Sequence, residues 1–178
     1  MKFAAATDHL IVAAADLDAG TAWLEERLGV ALAPGGRHAT MSTHNRLLKL
    51  GPRLYLELIA IDPAAPKPER ARWFGLDDPA LHARIAERPR LIHWVARCND
   101  IEAASAACPE PLGDVLDLSR GDLRWRISVP ADGHLPGNGL LPSLIQWQSP
   151  AQPAELMPEH GCALMKLEGF HPEPTRIR

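Results

Sequence analysis

The chain has 178 residues, 46% hydrophobic and 23% charged, which excludes a disordered or fibrous protein and allows an ordinary buried core. Its 19 Lys and Arg against 22 Asp and Glu leave a net charge of -3, so no field gathers a nucleic-acid backbone or an anionic membrane, and neither is expected as a partner. Cys98, Cys108 and Cys162 lack CxxC spacing, against a disulfide framework or structural zinc, and the start MKFAAATDHL has neither a signal-peptide core nor a spanning helix, so a cytoplasmic protein is expected.

In chain order, a β-rich stretch from His9 to Ala14 comes first. Asp16 or Asp18 can cap the next segment, where Ala19, Trp23, Leu24 and Leu28 recur at helical spacing until Gly29 stops it. Ala31 to Pro34, a turn at Gly35 and Gly36, Arg46 to Leu50, a GPR turn and Leu54 to Ile61 then supply three strands, for a βαβββ order over residues 1–61. Residues 62–90 are too long for a simple turn and contain several prolines. They read as a partly helical connector, with Asp78 and Pro79 as cap and first helical position and Leu81 and Ile85 one turn apart; Trp73 and Phe74 are packed connector residues or a cover over an inner cavity. The second half, 91–150, repeats the order: strand Leu91 to Arg97, helix Asp100 to Ala107, then strands Gly113 to Leu118, Leu123 to Val129 and Ser143 to Gln148. The stretch Pro130 to Pro142 resembles a mobile flap, and its glycines form no dinucleotide or phosphate-loop signature, so no nucleotide cofactor is expected. In the C-terminal extension, 151–178, Ala163 to Leu167 reads as an added edge strand.

The two halves repeat chemistry as well as pattern. His9 in DHLIVAA and His93 in LIHWVAR stand in similar strands 84 residues apart, and Glu57 in LYLELIAI and Gln146 in PSLIQWQS follow at 48 and 53 residues. Strand parity groups Tyr55, Glu57 and Ile59, and likewise His9, Ile11 and Ala13, on inward faces whose other side helices must cover. Four side chains converging between duplicated units suit one divalent cation, and two imidazoles, a carboxylate and an amide oxygen suit zinc, nickel, manganese or iron. An unaccompanied carboxylate inside LYLELIAI is costly to bury, which marks Glu57 as a candidate base as well as a ligand. His38, His44 and Asn45, near the middle strands of the first half, either line the cup or stabilise loops. His134 in the flap joins them as a substrate-binding candidate, and Arg126, with Arg97 and Arg124, could hold a substrate carboxylate, although solvated strand arginines are commoner.

The segments DHLIVAAADLDAGTAWLEERLGV, GGRH, STHNRLLKLG, YLELIAID, LIHWVAR and LLPSLIQW together resemble glyoxalase-like domain proteins of the vicinal oxygen chelate superfamily, from Asp8 to about Pro150. The resemblance implies an α+β fold of two βαβββ modules forming a cupped, partly open mixed sheet with helices on its outer face. It implies a divalent metal held by His9, Glu57, His93 and Gln146, a small oxygen-rich or carbonyl-containing metabolite as ligand, and a homodimer as one mode of assembly. Gln146 stands where glyoxalase I usually has a glutamate base, which argues against methylglyoxal chemistry. Metal-assisted lyase or isomerase chemistry leads. The alternative is a non-catalytic, sequestering protein of the same fold, and a dioxygenase ranks below both because such relatives take their ligands from one module.

Overall fold

The computed structural model describes residues 3–174. One eight-stranded mixed sheet carries the fold, from strands β1 (Ala5–Ala13), β2 (Ala33–His38), β3 (Thr43–Gly51), β4 (Leu54–Ile61), β5 (Arg90–Cys98), β6 (Asp114–Arg120), β7 (Leu123–Val129) and β8 (Ser143–Trp147). Their order across the sheet is β2-β3-β4-β1-β5-β8-β7-β6. Each half places its first strand parallel to its last, β1 with β4 and β5 with β8, and the halves join where β1 meets β5 antiparallel. First and last strands of both halves therefore occupy the middle of the sheet. The sheet curls into a half-barrel, the α+β cup expected from the sequence.

Helices α1 (Leu17–Leu28) and α3 (Ile101–Ala106) cover the convex face, one per half. Both begin on an aspartate: Asp16 accepts from the amide of Ala19 at 2.8 Å and Asp100 from that of Ala103 at 2.9 Å. Under α1, Leu17 and Leu24 bury against Val12, Leu48 and Leu58; under α3, Ile101 and Ala104 bury against Ala96, Leu112 and Leu144. Gly20 is required in α1, because a Cβ there would stand 2.5 Å from that of Ala14.

The concave face is filled by the connector. Helix α2 (Pro79–Glu87), capped by Asp78 with Pro79 in its first turn, lowers Leu81 and Ile85 onto Ile11, Ile59, Val95, Ile127 and Ile145, and Trp73, Phe74 and Leu76 complete this cluster. One helix thus packs inside the cup, where the sequence placed helices only outside. The irregular stretch after β7 is held to the connector, since the Gly133 carbonyl accepts the Gly75 amide at 2.7 Å.

Two other expectations change. Gly35 and Gly36 form no turn: they lie within β2, whose pairing with β3 shifts register between Pro34 and Arg37. The extension after helix α4 (Pro153–Leu156) adds no strand at Ala163 to Leu167. It runs along the outside instead, where Lys49 pairs with Glu159 at 2.8 Å and Cys162 packs against the cluster under α1.

Candidate functional site

On the concave face, the middle strands of the first half assemble a buried polar group. Ile11 sits opposite Glu57 across β1 and β4, so His9, two residues along on the same face, reaches it diagonally. His9 Nε2 lies 3.5 Å from Glu57 Oε2, with the two residues 3% and 5% exposed. Asn45 on β3 donates from Nδ2 to Glu57 Oε1 at 2.5 Å, and His38 Nε2 stands 3.9 Å from the same oxygen.

Asp8, which strict alternation would turn to the other face, enters this group through a break in the strand. Thr7 pairs with Ala96 and His9 with Val95, leaving Asp8 as the extra residue of a bulge, and bulges re-aim side chains in this way. Its fully buried carboxylate accepts from His9 Nδ1 at 2.7 Å and from the Trp147 indole N–H at 3.0 Å. The Tyr55 ring stacks on His9 at 4.5 Å, and its phenol is held well above the ordinary range by burial first and then by the Asp8 and Glu57 carboxylates. Spending Nδ1 on Asp8 fixes His9 with Nε2 presented to Glu57.

The far side of the group comes from the opposite edge of the sheet. Arg120, at the end of β6, donates from Nη1 to His38 Nε2 at 3.0 Å and to Asn45 Oδ1 at 3.2 Å. The two glycines of β2 make this crossing possible. A Cβ on Gly36 would meet Arg120 Cδ at 2.6 Å, and one on Gly35 would meet Asn45 Oδ1 at 2.0 Å. Burial above all, with the Arg120 charge adding and the Glu57 charge opposing, lowers His38 to about 4. His38 is therefore neutral at neutral pH, accepting at Nε2 and facing Thr43 Oγ1 with Nδ1 at 3.1 Å. Trp73 sets its ring edge-on to His38 and stacks on Phe74, and the free space left among these groups is about 30 Å³. Phe74 holds φ = 59°, a left-handed conformation that costs a bulky residue energy.

His93 shares the concave face but not the contact. Its Nε2 accepts the Ser143 amide at 3.0 Å and lies 3.1 Å from Ser143 Oγ, and burial lowers it to about 4. Gln146 is on the convex side: its Oε1 accepts the Ile101 amide at 3.0 Å and its Nε2 donates to the Asn99 carbonyl at 3.2 Å, so it secures the start of α3. The expected fourth ligand was one face off. Val95 pairs with Ser143 as Ile11 pairs with Glu57, which makes Ser143 the counterpart of Glu57. Arg126 likewise faces outward, bound to Glu102 at 2.5 Å, and His44, between the inward Thr43 and Asn45, points to the helix side. His134 is exposed, paired with Asp132 at 2.6 Å beside a separate cleft of about 810 Å³ that His93 also borders.

These positions do not fit the expected divalent ion. Gln146 spends its amide on backbone partners, His93 spends Nε2 on the Ser143 amide while its Nδ1 is buried without a hydrogen-bond partner among the described residues, and the one further imidazole near Glu57, His38, already receives the Arg120 cation. Among the described residues no group of three or more His, Cys, Asp and Glu is arranged to hold a metal. Of the residues proposed from sequence, His9, His38, Asn45 and Glu57 come together. Asp8 and Arg120 were missed, the first because a bulge leaves no trace in the alternation. The second had a signal, since Leu116, Leu118 and Arg120 alternate onto the inner face.

The model of the glyoxalase-like domain family matches residues 7–178, and the chain belongs to that family. No curated protein matches it. Among solved structures, a hypothetical protein from Staphylococcus aureus is similar at 18% identity with a TM-score of 0.55, over 82% of this chain and 60% of that one. Methylmalonyl-CoA epimerase from Mycobacterium tuberculosis is similar at 18% identity and a TM-score of 0.46, over 79% and 85% of the two chains. A Streptomyces coelicolor methylmalonyl-CoA epimerase in complex with 2-nitronate-propionyl-CoA gives 19% and 0.49, over 82% and 97%. The first of these likenesses is one of fold.

Proposed function

We propose that this glyoxalase-like domain protein acts on a small carbonyl-containing or otherwise oxygen-rich metabolite in the cup, by lyase or isomerase chemistry in which Glu57 takes a proton from the carbon beside a carbonyl. The observation that carries this reading is the buried Glu57 carboxylate, held by Asn45 at one oxygen and faced by His9 Nε2 at the other. A carboxylate kept from water and fixed in direction is what proton abstraction from carbon requires. Asp8 holds His9 with its second nitrogen aimed at Glu57, so a proton taken by Glu57 has an adjacent acceptor. Arg120, bonded to Asn45 and lining the same cavity, can stabilise the negative charge that develops on a substrate carbonyl. No step depends on a metal, because the side chains do not form a ligand set.

The test is hydrogen exchange. Incubating the protein in deuterated buffer with a panel of small α-hydroxy and α-keto carbonyl compounds, and following loss of the α-proton by NMR, should reveal at least one compound that exchanges. Glu57→Gln should slow that exchange about a thousandfold, within the range ascribed to a positioned general base. Unchanged exchange in Glu57→Gln would defeat the reading.

A second reading is a sequestering protein that binds without turning over. It is favoured by Trp73 and Phe74, which fill the cup and leave about 30 Å³. Saturable binding with no exchange of any bound compound would select it.

A further inference from the structure

We infer that the cup recognises its ligand through a carboxylate or equivalent oxyanion head group, with Arg120 as the binding residue and the Trp73 indole N–H as a second donor. This rests on the reading of the cup as a small-molecule site and narrows it to a substrate class.

The polar atoms of the inner cavity divide into those with partners and those without. Glu57 is served by Asn45 and His9, and Asp8 by His9 and Trp147. Two donors of this lining keep unused capacity. Arg120 carries five N–H bonds in a planar fork, and only Nη1 has a hydrogen-bond partner among the described residues, where it meets neutral acceptors on His38 and Asn45. No carboxylate lies within ion-pairing distance of Arg120 among those residues, whereas Arg46, Arg70, Arg72, Arg90 and Arg126 each have one and Arg97, also without one, is held by the Thr7 and Arg53 carbonyls. The Trp73 Nε1 is buried and without a partner among the described residues. Leaving a buried N–H unmet costs stability, and an acceptor that entered beside it would recover that cost.

Arg120 and Trp73 line the same cavity. Its free space of about 30 Å³ suits the head of a small anion rather than a whole metabolite. A planar, two-oxygen acceptor matches a guanidinium fork better than a single oxygen does. The fold also makes room for this arginine at a cost: Gly36 must lack a side chain where Arg120 crosses from β6 to β2. A latch between sheet edges would not require a charged group pointed into the cavity.

The experiment follows the Trp73 indole N–H resonance, assigned with Trp73→Phe, in uniformly 15N-labelled protein. Acetate and pyruvate are titrated against acetamide and hydroxyacetone, with ionic strength held by chloride. The inference expects a saturable shift with the carboxylates and none with the neutral compounds, and binding at least about tenfold weaker in Arg120→Gln, equivalent to about 1.4 kcal/mol. Arg124→Gln, on the hairpin outside the cup, should bind as the parent does. Equal response to neutral compounds, no saturable response, or undiminished binding in Arg120→Gln would each overturn it. If Arg120→Gln does not fold, Arg120→Lys keeps the charge without the fork and should also weaken binding, and the anion-against-neutral comparison in the parent protein decides alone. Exchange without carboxylate binding sinks this inference only, whereas carboxylate binding without exchange sinks the catalytic reading only.

Discussion

The two halves of the concave face descend from one plan and have different chemistry. Matching the helix caps Asp16 and Asp100 and following the strand pairings sets His9 against His93, Glu57 against Ser143, Asn45 against Ile127 and His38 against Leu118. Even the bulges correspond, because Ile92 is skipped between Leu91 and His93 just as Asp8 is skipped between Thr7 and His9. The first half fills its bulge with a carboxylate and surrounds it with polar groups. The second fills it with isoleucine and leaves His93 with Ser143 as its side-chain partner. A repeated backbone therefore offers two equivalent positions, and side chains alone make one a buried polar group and the other a packed core against which Trp73 and Phe74 rest.

The largest expected effect separates the halves by activity. Glu57→Gln removes the base and should cut α-proton exchange about a thousandfold, or about 4 kcal/mol of barrier, while urea denaturation shows stability unchanged or raised. The stability prediction follows from the cost of keeping a carboxylate out of water. A matching collapse of both stability and exchange would mean that Glu57 is structural.

The mirror-image experiment is Ile127→Ala, at the counterpart of Asn45. Ile127 is 2% exposed within the inner cluster, and truncating a buried isoleucine costs about 2–5 kcal/mol. Thermal or urea unfolding should show that loss, with residual exchange activity per folded molecule near that of the parent. Asn45→Ala should do the reverse, losing exchange more than stability. If both substitutions act alike, the division of the cup into a reactive and a structural half is wrong.

Acid should act on both halves, through His38 in one and His93 in the other, each lowered to about 4 chiefly by burial. Above pH 6.5 both are neutral folded or unfolded, and their contribution is complete. As pH falls from 6.5 toward 4, the unfolded chain takes up protons that the folded one refuses, so stability declines by up to about 3 kcal/mol per histidine and levels off below pH 4. Urea midpoints at pH 7 and pH 4.5 measure the fall. His38→Gln and His93→Gln should each flatten it, and an unaltered slope in either variant would remove that histidine from the account.

Legibility followed the same division. The main strands, the aspartate caps of α1 and α2, and the convergence of His9 with Glu57 could be read because each follows a local rule: alternation, capping, or the cost of burying a charge in an apolar strand. Asp8 could not, because a bulge is a property of the pairing between strands and leaves the sequence of one strand ordinary. The placement of α2 inside the cup was also hidden, since its apolar face specifies burial without naming the surface it meets.

Gln146 was misplaced for a reason that the offsets contain. Glu57 follows His9 by 48 residues and Gln146 follows His93 by 53, and an odd difference in strand position turns a side chain to the other face; Ser143, at 50, keeps the parity. This gives the smallest and most discriminating prediction. Gln146→Ala should lose about 1 kcal/mol of stability, from the bonds to Ile101 and Asn99 at the start of α3, and leave α-proton exchange and carboxylate binding untouched. Ser143→Ala, on the inner face, should cost a similar amount while changing the NMR shifts of the His93 ring, which lies 3.1 Å from the hydroxyl. Exchange lost in Gln146→Ala would return the amide to the cup and restore a four-ligand centre spanning both halves. Exchange retained there and lost in Asp8→Asn would show that the reactive half works through its bulge, which the other half kept in backbone and gave up in chemistry.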